Sequence, residues 1–157
     1  MKSCIFGSFD PLTIGHEYII NESAKIFDVV YLLVIKNNKF KIRHFDYDLC
    51  LNSIKDTFKN SKNIKIIEFD GDRSIEQFLK TNNCDYLVRG IRNKKDFEFE
   101  EFVYKRKFSS FVKVMYIKSP YKKISSSKVY KDFLKRKINK EFLPIKVYEM
   151  LNKFLNG

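Results

Sequence analysis

The sequence predicts an open parallel α/β sheet with helices on both faces. Short apolar runs alternate with helical patterns five times along the chain. One run, Val29 to Ile35 (VVYLLVI), is apolar at every position, as a strand covered on both faces must be. Polar or glycine-bearing segments follow the strand ends, the pattern of βα units.

The elements follow in order. Cys4-Ile5-Phe6 ends at Gly7, and a helix pattern runs from about Ile14 to Phe27. Val29 to Ile35 is the second strand. A polar loop leads to a helix over about Asp46 to Phe58, and Ile64 to Phe69 is the third strand. Ser74, with Gln77 three residues on, has capping-box spacing and starts a helix carrying Ile75, Phe78 and Leu79. Tyr86-Leu87-Val88 is a fourth strand that stops at Arg89-Gly90. A long aromatic-rich helix covers about Asp96 to Phe111, and Val112 to Ile117 is the fifth strand. Helices over about Ser126 to Lys137 and Pro144 to Leu155 close the chain, with Pro144 suited to a first turn. No repeat or linker divides the 157 residues, so one domain over residues 1–157 is expected.

Composition narrows the function. No apolar run approaches the roughly 18–20 residues of a membrane span. The N-terminus meets Gly7 and Asp10 too soon for a secretory signal. Cys4, Cys50 and Cys84 are odd in number and sit among apolar residues. They read as reduced core thiols of a cytoplasmic protein, not as a disulfide frame or a zinc site. With only His16 and His44, a histidine metal centre is not expected. The net charge of +12 would suggest a polyanion partner, but only six of 31 basic residues are Arg and there is a single Ala. That is the bias of AT-rich coding, which spreads Lys over the whole surface. The expectation is therefore a solvated basic surface and no nucleic acid.

In open α/β sheets ligands bind at the carboxyl ends of strands. The segment after the first strand is Gly7-Ser8-Phe9-Asp10-Pro11-Leu12-Thr13-Ile14-Gly15-His16. It is neither a G-x-G-x-x-G nor a Walker loop. It closes with T-x-G-H at a helix start, where free N–H groups and the dipole favour phosphate. Gly15 allows close approach, and His16 can offer a ring N–H. His44 reads as a surface residue, and Tyr104 and Phe108 as core or subunit interface.

This string resembles the T/H-x-G-H signature of the nucleotidylyltransferase superfamily, in the G-S-F-D-P-x-T-x-G-H form of bacterial phosphopantetheine adenylyltransferases. Arg89-Gly90-Ile91-Arg92 with Asp96-Phe97-Glu98-Phe99-Glu100 resembles that family's R-G-[LI]-R-x-x-x-D-F-E-[YF]-E block. Ile124-Ser125-Ser126-Ser127 resembles its I-S-S-S, and Phe142-Leu143-Pro144 its F-[LV]-P. The resemblance implies a Rossmann-like nucleotidylyltransferase fold. It implies adenylate transfer from ATP to 4′-phosphopantetheine, giving dephospho-coenzyme A and pyrophosphate. It also implies Mg²⁺ held mainly by the ATP phosphates, coenzyme A as feedback ligand, and a homohexamer, to which the apolar set Phe97, Phe99, Phe102 and Phe108 would contribute.

Carried over by resemblance, His16 stabilises the reacting α-phosphate, and Lys41 and Arg89 serve the acceptor phosphate. Ser8 and Phe9 contact nucleotide, and Ser8 also faces the acceptor. Gly90, Ile91 and Arg92 match the ATP segment, and Glu100 the acidic residue near the adenosine sugar. Tyr121, Lys122, Lys123, Ile124, Ser125, Ser126 and Ser127 match the loop and helix start around the triphosphate. Ile75 falls in the pantetheine pocket. No protein-held metal is implied. Three departures stand out. Asn38-Lys39-Phe40-Lys41 replaces the family's P-S-K-K, so Lys39 remains an alternative to Lys41. Lys107 stands where the family commonly has Asn, and Tyr121-Lys122-Lys123 is more basic than usual.

The chemistry suits such a residue set. A phosphate monoester with second pKa ~6 is largely dianionic at pH 7 and is itself the nucleophile. No covalent intermediate or general base is required, only positioning and charge stabilisation. Rival readings are another superfamily transferase, an inactive relative, and a nucleic-acid binder using the nine Lys/Arg between Lys118 and Lys140.

Overall fold

A computed structural model describes residues 1–39 and 41–157; Phe40 lies outside the described residues. Five parallel strands form one sheet: β1 (Lys2–Gly7), β2 (Val29–Ile35), β3 (Ile64–Phe69), β4 (Tyr86–Ile91) and β5 (Lys113–Lys118). Their spatial order is β3-β2-β1-β4-β5, so the order reverses between β1 and β4. β1 pairs with β2 along its whole length, from Lys2↔Val29 to Gly7↔Val34. With β4 it pairs only at Ser3↔Tyr86 and Cys4↔Leu87. Beyond Cys4 that ladder ends, and a crevice opens at the switch point.

The side-chain period of two sorts the strands onto both faces. Ile5, Val30, Leu32, Val34 and Val88 point to one core. Cys4, Leu33, Phe69 and Leu87 point to the other. The first core is covered by α1 (Ile14–Ile26), α2 (Tyr47–Thr57), α6 (Ser126–Leu134) and α7 (Ile145–Asn156), through residues such as Ile20, Ile54, Val129 and Leu151. The second is covered by α3 (Ile75–Thr81) and α5 (Arg106–Phe108), through Phe78, Leu79 and Phe108, while α4 (Lys94–Glu100) follows β4 in the chain. Truncating a fully buried Leu such as Leu32 or Leu151 to Ala should cost about 2–5 kcal/mol. No helix among the described residues is long and apolar enough to cross a membrane.

Side-chain caps fix the helix starts. Asp46 accepts from Leu49 N–H, Ser74 from Gln77 N–H, Asn93 from Asp96 N–H and Ser125 from Lys128 N–H. The reciprocal capping box belongs to α1, between Thr13 and His16. Pro144 stands one residue ahead of the first turn of α7, as its cap.

Two segments differ from expectation. β4 runs through Arg89 and Gly90 to Ile91, because Arg89 pairs with Tyr116 and Gly90 with Ile117 of β5. A Cβ on Gly90 would lie 2.9 Å from Ile19 Cγ1, so a larger residue there would have to displace Ile19 of α1. The single helix expected from Asp96 to Phe111 is instead α4, a π-helical turn over Glu101–Lys105, and α5. That wide turn lets Glu100 and Tyr104 both reach Arg89.

Candidate active site

The β1–α1 loop leaves the sheet at the switch point and is held from below. Asp10 is buried, and its carboxylate accepts the His44 N–H and, at 2.9 Å, the Phe45 N–H. The Arg43 guanidinium stands 3.7 Å from the same carboxylate and donates to Ser8 O at 2.9 Å and Ile35 O at 3.3 Å. Its flat face lies 5.1 Å from the Tyr47 ring centre. Arg43 thus ties the loop after β1 to the loop after β2, two residues from Lys41. Phe9 adopts a left-handed φ of 46°, uncommon for a bulky residue. Its ring meets His16 edge-on at 5.2 Å.

His16 is oriented by its own helix start. Nδ1 accepts the Thr13 N–H at 3.0 Å, and Thr13 Oγ1 accepts the His16 N–H at 3.4 Å. A ring nitrogen accepting from a backbone amide carries no proton, so the proton sits on Nε2. Burial, then the positive charges of Lys41, Arg92 and Arg89, pull the imidazole pKa down to about 4. His16 is therefore a neutral donor through Nε2–H. Desolvation is the dominant cause.

Arg89 rises from within β4. Its Nε and Nη2 form a two-point fork with Glu100 at 2.9 and 3.1 Å, and Nη1 donates to Phe6 O at 3.3 Å. The guanidinium also lies over the rings of Phe6 (4.6 Å) and Tyr104 (4.3 Å). Arg92 makes the same fork with Asp96, at 3.0 and 3.4 Å. Burial works to raise the Asp96 pKa, but hydrogen bonds from the Arg92 side chain and backbone outweigh it, and the net shift is downward. Both arginines are held rigid before any ligand arrives. From the opposite wall, Ser126 Oγ donates to Pro11 O at 2.8 Å, which docks the start of α6 onto the β1–α1 loop.

These groups enclose an open cleft of about 510 Å³ and an inner hollow of about 230 Å³ that share His16, Lys41, Arg89, Gly90 and Ser126. Gly90, Ile91, Arg92, Ile124, Ser125, Ser126 and Ser127 all line the cleft. Ser8 and Phe9 line the hollow. Glu100 reaches the cleft wall, but its carboxylate is engaged by Arg89. Lys41 faces His16, whereas Lys39 pairs with Asp72 at 3.7 Å and borders a separate pocket of about 220 Å³ with Ile75 and Lys107. Tyr121 lies outside the cleft, edge-on to Tyr18 at 6.2 Å, and Lys122 and Lys123 are exposed and do not line it. His44 is not a free surface residue, since it stacks on Tyr130 at 3.8 Å.

Arg43, Tyr104 and Asp96 escaped the sequence reading as parts of the site. The available signal was the scarcity of Arg: of six in the chain, Arg43, Arg89 and Arg92 brace or line the cleft. What assembles is a cationic, amide-rich crevice with one neutral imidazole donor. Its chemistry suits phosphates.

Residues 4–132 match the family model described as cytidylyltransferase-like. A phosphopantetheine adenylyltransferase from Cytophaga hutchinsonii is 39% identical over 103 residues, covering 65% of this chain and 67% of that protein. One from Christiangramia forsetii is 38% identical over 104 residues, covering 66% and 67%. Among solved structures, a bifunctional NMN adenylyltransferase/ADP-ribose pyrophosphatase from Francisella tularensis superposes with a TM-score of 0.76 at 16% identity, covering 99% of this chain and 50% of that one. A Vibrio parahaemolyticus protein assigned as a nicotinate-nucleotide adenylyltransferase gives 0.66 at 20% identity, covering 96% and 98%. At these identities the two structures speak for the fold.

Proposed function

We propose a specific reaction for a chain that belongs to the cytidylyltransferase-like family and, within it, to the phosphopantetheine adenylyltransferases. The reaction is transfer of adenylate from ATP to 4′-phosphopantetheine, giving dephospho-coenzyme A and pyrophosphate. The observation that carries it is the cleft at the β1/β4 switch point, where His16, Lys41 and Arg89 meet around one volume.

An oxygen of the acceptor phosphate attacks the α-phosphorus of ATP, and the bond from that phosphorus to the bridging oxygen breaks as pyrophosphate leaves. Lys41 holds the acceptor as a mobile point charge. Arg89, set by Glu100 and stacked on Phe6 and Tyr104, supplies a fixed one. His16 Nε2–H donates to an α-phosphate oxygen as negative charge builds there. Arg92 and the amides at the start of α6 receive the remaining phosphates, and Tyr121, Lys122 and Lys123 would have to fold inward to join them. Ser8, Phe9, Gly90, Ile91 and the Ile124–Ser127 segment form the nucleotide wall, and Ile75 the pantetheine wall. Glu100 acts through Arg89, and we assign it positioning in place of a sugar contact.

Among the described residues no three His, Cys, Asp or Glu side chains are grouped to hold a metal ion, and both cleft carboxylates are committed to arginines. A Mg²⁺ ion would therefore be carried by the ATP phosphates and supply charge neutralisation there. One domain would carry the whole reaction in the cytoplasm, consistent with three buried free thiols. Exposed Phe97, Phe99 and Phe102 on α4 and its π turn, beside edge strand β5, offer a face for the proposed homohexamer. Coenzyme A, which contains the product's arm, would compete as feedback ligand.

The test offers purified protein, ATP and Mg²⁺ with either 4′-phosphopantetheine or nicotinamide mononucleotide. Turnover of the first is expected. Turnover of the second without the first would reject the assignment.

A further inference from the structure

The pocket of about 220 Å³ at the open ends of β2 and β3 differs in character from the adenylate cleft. Phe69, Ile75 and Phe108 give it an apolar floor. Lys39, Arg73 and Lys107 line it, and among the described residues no Asp or Glu does. Two of these cations are anchored to the floor itself. The Arg73 guanidinium lies 4.7 Å from the Phe69 ring centre, and Lys107 Nζ lies 5.3 Å from that of Phe108. Among the described residues neither makes an ion pair, whereas Lys105 on the same helical segment pairs with Glu101 at 3.2 Å. Lys39 pairs with the exposed Asp72, at 3.7 Å. The loops bearing Lys39 and Arg73 are pressed together at Gly71, where a Cβ would sit 1.4 Å from Asn37 O. The cations therefore border a defined volume.

The pocket also communicates with the reaction site. Phe6 lines both it and the inner hollow, and Arg89 lies over the rings of Phe6 and Tyr104. An acceptor phosphate held by Arg89 and Lys41 would send its arm across these two rings toward Ile75.

We propose that this pocket is an anion-accepting subsite for the far end of the acceptor arm, so that the chain uses an acceptor bearing a carboxylate there. The inference rests on the proposed reaction and leaves its chemistry unchanged, with the same P–O bond formed and the same pyrophosphate released. It concerns specificity only. A neutral or acid-lined pocket would reject a carboxylate through unpaid desolvation, while one with three cations and an open mouth supplies its counter-charge.

The experiment compares kcat/KM for 4′-phosphopantetheine and for its cysteine-terminated analogue, which adds one carboxylate beside the thiol. In the wild type the analogue should be used within tenfold of the neutral acceptor. Lys107→Gln should lower the analogue-to-neutral ratio by about tenfold, Lys107→Glu should lower it further, and Lys107→Arg should preserve it. Arg106, over the Phe102 ring at 5.1 Å and outside the pocket, is the control, and Arg106→Gln should not move the ratio. A wild-type preference of more than a hundredfold for the neutral acceptor would overturn the subsite. So would an unchanged ratio in Lys107→Gln, or an equal shift in Arg106→Gln. If neither acceptor turns over, the reaction assignment fails, and calorimetry of the two acceptors without ATP still reads the subsite. A Lys107-dependent preference for the carboxylated one then supports it, and no preference overturns it.

Discussion

Replacing His16 with Ala removes two separable interactions. On the inner side, Nδ1 no longer accepts the Thr13 N–H, now made at 3.0 Å, and the cap of α1 weakens by about 1 kcal/mol. On the cleft side, Nε2–H is lost from the reacting phosphate. A donor aimed at developing charge is worth roughly 10² to 10³ in kcat, or ~3–4 kcal/mol. ATP affinity should change far less, because Arg92 and the start of α6 still hold the nucleotide. Steady-state rates beside calorimetry of ATP binding and urea unfolding separate the three quantities. The donor must also be neutral. With a pKa of about 4, His16 stays uncharged through the range in which an ordinary histidine titrates. The chain has two histidines, so ring NMR in a His44→Gln background reads His16 alone. Flat ring shifts from pH 7.5 to 5.5, with the proton on Nε2, are expected. An unchanged kcat in His16→Ala, a loss wholly explained by ATP affinity, or a ring titration near 6.5 would remove His16 as a neutral donor to the reacting phosphate.

Three further outcomes follow from the same geometry. Lys41→Ala should lower kcat/KM for the acceptor by ~10² or more, about 3 kcal/mol for a lost charge-assisted contact, while Lys39→Ala, whose partner is Asp72, should be milder; the reverse order would shift the loop assignment by two residues. Arg43→Met leaves Asp10 buried beside an apolar side chain and releases Ser8 O, so urea unfolding should show a loss of about 3 kcal/mol and acceptor KM should rise; a stable variant with normal KM would remove Arg43 from the scaffold. Because folding depresses the His16 pKa to about 4 from an unfolded value near 6.5, an unfolded chain takes up the proton first as pH falls. Its stabilisation is complete above about pH 6.5 and fades toward pH 4. Wild type should lose about 2 kcal/mol more than His16→Gln between pH 7 and 4.5 by urea titration, allowing for partial exposure; equal losses would contradict the assigned shift.

Much of this molecule was legible in its sequence for definite reasons. Val29 to Ile35 could only be a strand covered on both faces, and its register with β1 and β3 follows from alternating contacts to two cores. Ser74 announced its helix because capping is local chemistry. The T-x-G-H string located the switch-point end of the sheet, since it depends on a few consecutive residues. What escaped depends on residues distant in sequence. β4 continues through Arg89 to Ile91 because β5 supplies pairing partners, which no local pattern reveals. The fork that Glu100 makes with Arg89 spans 11 positions and a π turn, beyond any local pattern. Arg43 carries no local signal, because Ser8 O and Asp10 come beside it only when two loops meet.

The most direct test of the central claim is pyrophosphate release from Mg²⁺-ATP, followed with and without 4′-phosphopantetheine, with the nucleotide product identified by mass. Release should depend on the acceptor, with one dephospho-coenzyme A formed per pyrophosphate and both lost together in Lys41→Ala. Pyrophosphate release that is indifferent to 4′-phosphopantetheine, or that proceeds without dephospho-coenzyme A, would contradict the proposed reaction.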